Sequence, residues 1–149
     1  MPEDLVFMMG KYEARIPGDR LYTENHLWLQ PADTAFRVGL TAWSVRLLQD
    51  VYFLDWDIDA DASVRHKQEI GQIESSKAVS ALYAPADGRL LSFNEQLLDD
   101  PSAINTDGYG DGWLYLFETD ANLLSPAEYV AHLEANWEKT QRLIKGQLN

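Results

Sequence analysis

The chain has 149 residues, 24 acidic against 12 basic side chains, a formal net charge of -12 and no cysteine. That length suits one domain with its own core, and the acidity argues against nucleic acid or an anionic membrane as partner. Without cysteine there is no disulfide, zinc-thiolate site or cysteine nucleophile, so any redox chemistry must come from an attached group.

At the N-terminus, Met1 to Asp4 is acidic, and Leu5 to Met9 is an apolar run far short of a secretory h-region. No stretch approaches the roughly 20 apolar residues of a membrane span, and the protein is expected to stay in the cytoplasm. Residues 1–21 read as an N-terminal extension whose apolar run packs on the domain, closed by the turn signal Pro17-Gly18. Strands are expected from Tyr22 to Trp28 and from Phe36 to Leu40, joined by a turn at Gln30-Pro31-Ala32-Asp33.

Thr41 is placed to cap a short helix ending near Leu48, with Val45 and Leu48 toward the core. Tyr52, Leu54, Trp56 and Ile58 then alternate with Phe53, Asp55, Asp57 and Asp59, a strand with one apolar face. These acids do not make a calcium loop. A loop begun at Asp55 has Ala60 at the glycine position and His66 where the bidentate glutamate belongs, and one begun at Asp57 ends on Gln68.

Two strand-like segments, Glu69 to Ile73 and Ala78 to Tyr83, flank a tip of small residues, Ser75, Ser76 and Ala78, around Lys77. A lysine on such a tip is displayed: a modifying enzyme reaches its amine, and an acylated arm can swing. After the turn Pro85 to Gly88 comes a strand through Leu90, Leu91 and Phe93. Asn94 can cap a helix from Glu95 to Leu98, which Asp99-Asp100-Pro101 ends. Asn105 to Gly112 forms a glycine- and aspartate-rich loop before a strand from Trp113 to Phe117. Ser125-Pro126-Ala127-Glu128 combines an N-cap, a first-turn proline and a reciprocal glutamate, opening a helix whose Val130, Leu133, Trp137, Thr140 and Ile144 share one face packed on the sheet. His26, His66 and His132 stand alone, with neither a triad motif nor metal-ligand spacing, so no enzyme active site is read.

From Tyr22 to Phe117 the sequence resembles the H protein of the glycine cleavage system, a lipoyl carrier. The likeness rests on Tyr22-Thr-Glu-Asn-His-Leu-Trp28, Val38-Gly-Leu-Thr41, Leu48-Gln-Asp-Val-Tyr-Phe53 and Ile73-Glu-Ser-Ser-Lys-Ala-Val-Ser80. It continues through Tyr83-Ala-Pro85 and Gly88, Phe93 to Leu97, Asp100-Pro101, Ile104-Asn105 and Asp107 to Leu114. The resemblance implies that Lys77 carries lipoate and that Glu74, Ser75, Ser76 and Ala78 form the recognised attachment site; biotin carriers instead place methionine on both sides of their lysine. It also implies a mainly β, lipoyl-domain-like barrel-sandwich hybrid of two small antiparallel sheets with short helices and a C-terminal helix. The carrier domain spans 22–120, and residues 121–149 form the helix packed on it.

By the same resemblance the protein is a non-catalytic carrier that shuttles an aminomethyl group or electrons. Its expected partners are glycine decarboxylase, an aminomethyltransferase and dihydrolipoyl dehydrogenase, with a lipoate ligase or octanoyltransferase installing the arm. The departures bear on cargo. Gln49 stands where the family has glycine and Ser76 where it has valine. Leu27, Leu47 and Ala81 replace an acid, a histidine and an aspartate around the carried amine, which a carboxylate and an imidazole would pair with. These apolar replacements leave open an H-like carrier for another pathway, sulfur oxidation or lipoate relay, or an unmodified interaction module.

Overall fold

The computed structural model describes residues 3–148, with side chains through Arg142. In chain order it has β1 (Leu5–Met9), β2 (Tyr12–Ile16), β3 (Leu21–Tyr22), β4 (Leu27–Ala32), β5 (Ala35–Leu40), α1 (Ala42–Leu48), β6 (Val51–Trp56), β7 (Ala62–Val64) and β8 (Glu69–Ser75). There follow β9 (Val79–Tyr83), β10 (Gly88–Phe93), α2 (Gln96–Asp99), α3 (Ala103–Thr106), β11 (Tyr115–Glu118), α4 (Pro126–Ala135) and α5 (Trp137–Leu148).

The two antiparallel sheets expected are a six-stranded one, in the order β3-β4-β5-β11-β10-β7, and a three-stranded one, β6-β8-β9. Between them lies one continuous core. Leu29, Val38, Tyr115 and Phe117 come from the large sheet, and Leu54, Ile73 and Leu82 from the small one, each at most 8 % exposed. Burial of such a side chain stabilises by roughly 1.5–3 kcal/mol, enough to hold the small sheet in register.

A third layer covers the other face of the large sheet. The β1–β2 hairpin presents Phe7, Met9, Ala14 and Ile16 to Tyr22 and Trp28, and α4 adds Tyr129 and Leu133. The rings of Tyr22 and Tyr129 stack 4.7 Å apart, and Phe7 meets Trp137 edge-on at 5.4 Å. The apolar run from Leu5 is therefore buried on alternate residues, and the C-terminal helices pack on this hairpin as well as on the sheet. Trp28 lies flat over Gly39, where a Cβ would come within 2.4 Å of the indole.

Several local expectations are corrected. Tyr22 to Trp28 is not one strand: β3 stops at Tyr22, and a turn closed by Thr23 N–H to the Leu27 carbonyl (3.0 Å), with His26 at φ 69°, leads into β4. The next turn falls at Asp33, not across Gln30 to Asp33, because β4 runs through Pro31. The proline lies past the end of the two-residue β3, where β4 is an edge strand and tolerates it. A register shift between Val51 and Phe53 turns both Tyr52 and Phe53 outward, so Tyr52 does not share the apolar face of Leu54 and Trp56.

The Asn94 side chain caps no helix; its amide donates to the carbonyls of Asp111 (3.0 Å) and Trp113 (2.8 Å) and pins the glycine-rich loop. That loop is preceded by the short helix α3, and its strand begins two residues later than expected, at Tyr115. Ser125 and Glu128 form the reciprocal cap expected, yet the helix breaks at Asn136, whose side chain donates to the His132 carbonyl at 2.8 Å. Leu133 and Thr140 are buried on either side of that break; the Ile144 side chain lies outside the described residues.

Candidate functional site

The hairpin β8–β9 pairs Glu74 with Val79 and Ile73 with Ser80, leaving Ser75 to Ala78 to turn the chain. No residue of this tip has a positive φ, so the turn needs no glycine; a buried hydroxyl shapes it instead. Ser75 Oγ accepts from the amides of Lys77 (3.3 Å) and Ala78 (3.2 Å) and donates to the Ala78 carbonyl (3.2 Å), while the Ser75 amide donates to that same carbonyl at 2.9 Å. Ser75 is 4 % exposed, whereas Ser76 and Lys77 are exposed. Among the described residues, no hydrogen bond or ion pair engages the Lys77 ammonium.

A second element braces the tip from the side. The Ser76 amide donates to the Asp50 carbonyl (2.9 Å), and the Asp50 amide donates to the Ser76 hydroxyl (3.3 Å). The corner that carries Asp50 is held in turn by Asn105, which accepts from the Val51 amide at 2.8 Å and donates to the Gln49 carbonyl at 2.5 Å. Gln49 itself adopts φ 64° and ψ -137°, backbone that glycine reaches without strain and other residues at a cost. Asp50 and Asn105 belong to the segments of the family likeness, but their role at the tip could not be read from the sequence because their bonds span 26 and 54 residues.

Of the sequence-identified residues, Lys77 and Ser76 stand at the tip, Ser75 points into the fold, and Glu74 is half-buried in the row Phe53–Glu74–Val79. Ala78 instead begins a groove. This cleft, about 200 Å³, brings together Leu27, Leu47 and Ala81, the three apolar replacements, with Trp43 and Leu40 on its walls. Among the described residues its lining includes the polar Asn25, Ser44, Ser80 and Tyr83 but no acid, no lysine or arginine and no imidazole.

His26 does not line the groove. Its ring stacks on Trp43 with centroids 3.5 Å apart, and its Nδ1 lies 2.8 Å from the Tyr129 hydroxyl. Burial, aided by repulsion from His132, pushes its pKa down to about 3, so it is neutral at neutral pH. The acids after β6 are dispersed: Asp61 pairs with Arg89 at 2.6 Å, and among the described residues no three His, Cys, Asp or Glu side chains gather as a metal site.

The family model for "Glycine cleavage H-protein" matches residues 20–141. A probable glycine cleavage system H protein of Natronomonas pharaonis is 42 % identical over 122 residues, covering 79 % of this chain and 96 % of that protein. A glycine cleavage system H protein of Mycolicibacterium gilvum is 38 % identical over 115 residues, 76 % of this chain and 87 % of its own length. In three dimensions, the crystal structure of a glycine cleavage system H protein from Mycobacterium marinum is similar with a TM-score of 0.70 and 38 % identity, over 80 % of this chain and 99 % of that one. With the family match spanning most of the sequence and relatives of 38–42 % identity covered over most of their length, this chain belongs to the glycine cleavage H-protein family.

Proposed function

We propose that Lys77 is the acceptor of a covalently attached lipoyl group and that the protein serves the glycine cleavage system as a non-catalytic carrier. The observation that carries this reading is the exposed Lys77, its ammonium unpaired among the described residues, on a tip fixed from two sides by Ser75 and Asp50. The residues present fit the group: Lys77 is exposed, and its neighbours Ser76 and Ala78 are too small to obstruct an acyl donor. Attachment requires the neutral amine to attack the carbonyl of an activated acyl group. A C–N amide bond forms, the bond to the adenylate or thiol leaving group breaks, and the nitrogen loses a proton. When bound, lipoate supplies a dithiolane whose sulfurs take up a carried group or two electrons.

Tethering keeps the cargo at high local concentration near each enzyme visited. We assign glycine decarboxylase, an aminomethyltransferase and dihydrolipoyl dehydrogenase as those enzymes, and a lipoate ligase or octanoyltransferase as the one that loads the arm. The carrier unit is placed at 22–120, with 1–21 and 121–149 as its covering layer. No helix among the described residues is long and apolar enough to cross a membrane, and we place the work in the cytoplasm. The test is the intact mass of protein purified from cells supplied with lipoate and a ligase, with peptide mapping and a Lys77→Ala control. A lipoyl adduct confined to Lys77 is expected; an unmodified chain, beside a carrier modified in the same cells, would leave an interaction module.

A second reading of the cargo is favoured by the groove. Leu27, Leu47 and Ala81 give a cationic cargo no counter-charge there, whereas a neutral arm loses apolar surface to it. On this reading the carrier serves a different cargo, and loading by purified glycine decarboxylase and glycine is slower than that of an H protein with acid and histidine at those positions. Equal loading rates would remove it.

A further inference from the structure

The three-stranded sheet has two faces, and only one is used by the core. Val51 pairs with Ser75 and Leu54 with Ile73, and all four are buried inward. The adjoining row, Phe53 with Glu74 and Glu74 with Val79, projects to the opposite side, because directly paired residues of an antiparallel sheet share a face. There Phe53 is 43 % exposed and Val79 63 % exposed, one strand position from the lysine tip. The register shift at Val51 and Phe53 turns Tyr52 outward beside them, 62 % exposed. Next on this face come Asp55, Gln72 and its partner Ala81, and at its far end Glu69 pairs with Tyr83, itself 45 % exposed; Ala81 and Tyr83 lie on the edge strand and also border the groove. Apart from Lys77 at the tip, none of these outward residues is basic.

We propose that this outward face, centred on Phe53, Glu74 and Val79, is the docking surface for the enzyme that acylates Lys77, which meets it with an apolar patch rimmed by basic side chains. The proposal rests on the reading that Lys77 is acylated. Reach selects the occupant. An enzyme that acts at the end of a loaded arm can stand off from the hairpin, but one that acylates the amine must bring its acyl carbonyl to a nitrogen only a four-carbon stem from the backbone. Its rim must therefore rest on the hairpin. The inward face is filled by the core, and the free edge of β9 borders the groove, which leaves the outward face. Exposed apolar side chains clustered at this spot are those a partner would cover, and Glu74, Asp55 and Glu69 supply the charge that selects a basic one.

The test uses a purified lipoate–protein ligase with ATP and lipoate on the full chain, following Lys77 acylation by intact mass. The double variant Phe53→Ser/Val79→Ser should lose at least tenfold in kcat/KM, mostly through KM. Met8→Ser, which removes an equally exposed apolar side chain from β1, should react like the unsubstituted protein. A small N-hydroxysuccinimide ester should acylate Lys77 equally in all three, and their melting temperatures should agree. Enzymatic acylation of the double variant within twofold of the unsubstituted rate overturns the proposal, as does a parallel loss with the small ester. If the unsubstituted chain takes no lipoate while a known lipoyl domain is modified in the same tube, the Lys77 reading itself fails and this proposal falls with it.

Discussion

Replacing Ser75 by alanine tests whether the tip is shaped by a hydroxyl. The substitution removes one acceptor shared by the Lys77 and Ala78 amides and one donor to the Ala78 carbonyl, while the Ser75 amide keeps its 2.9 Å bond to that carbonyl. A typical hydrogen bond contributes about 0.5–1.5 kcal/mol net, and these three sit at the long end, 3.2 to 3.3 Å. Water also reaches the exposed amides once the hydroxyl is gone, so the loss is local and about 1 kcal/mol rather than the sum. Amide exchange is the assay. Lys77 and Ala78 should exchange about five times faster in Ser75→Ala, since 1.4 kcal/mol is tenfold, while Ile73 in the hairpin should keep its protection. Unchanged exchange at Lys77 and Ala78 would refute a hydroxyl-shaped tip; loss of protection throughout β8 would show that Ser75 holds the strand instead.

Gln49→Gly should stabilise the fold by about 1 kcal/mol in urea denaturation, because relief of the φ 64° backbone, costing about 1–3 kcal/mol, outweighs the glycine's extra chain entropy. A drop in midpoint would mean that the Gln49 side-chain bond to the Arg46 carbonyl matters more. His26 stays neutral in the fold to about pH 3 and protonates near 6.5 when unfolded, so its contribution is whole above pH 6.5 and is lost as pH falls below it. Between pH 7 and 5 the protein should lose about 2 kcal/mol more than His26→Gln, and equal losses would dismiss His26 as the source. Phe7→Ala removes a side chain 7 % exposed from the layer over Trp28 and should cost about 3 kcal/mol in urea denaturation; near-zero cost would mean that the hairpin adds nothing to the fold.

Legibility in the sequence followed the range of the interactions. The cap of α4 is encoded within four residues, Ser125 to Glu128, and was readable because both hydrogen bonds are local. The lysine hairpin was readable for the same reason: two short strands and a tip of small residues suffice to specify it. The outward turn of Tyr52 and Phe53 was not, since a bulge depends on which residues of β8 lie opposite, and alternation alone placed Tyr52 with the core. The break of the C-terminal helix was hidden because Val130 to Thr140 keeps helical spacing across Asn136, and the side-chain bond to His132 that ends α4 has no pattern of its own. The positive φ of His26 had no glycine to announce it, whereas that of Gln49 was signalled by the glycine the family has at this position. Yet the gathering of Leu27, Leu47 and Ala81 was inferred from three separate segments, and the structure lines one groove with all of them.

That groove and the outward sheet face meet along β9, where Ala81 and Tyr83 border both, and their chemistry divides what can rest there. The groove begins at Ala78 and is lined, among the described residues, mainly by aliphatic and aromatic side chains with a few neutral polar ones and no formal charge. The outward face carries Glu74, Asp55 and Glu69 around Phe53 and Val79. A neutral arm gains roughly 25 cal/mol for each Å² of apolar surface it places in the groove, and it desolvates no charge in doing so. A cationic group would lose hydration in the groove with no carboxylate to replace it, whereas on the outward side it stays in water beside three acids. If Lys77 carries the proposed arm, its resting side is set by the charge of the cargo, and Leu27, Leu47 and Ala81 favour the groove for a neutral cargo and disfavour it for an amine.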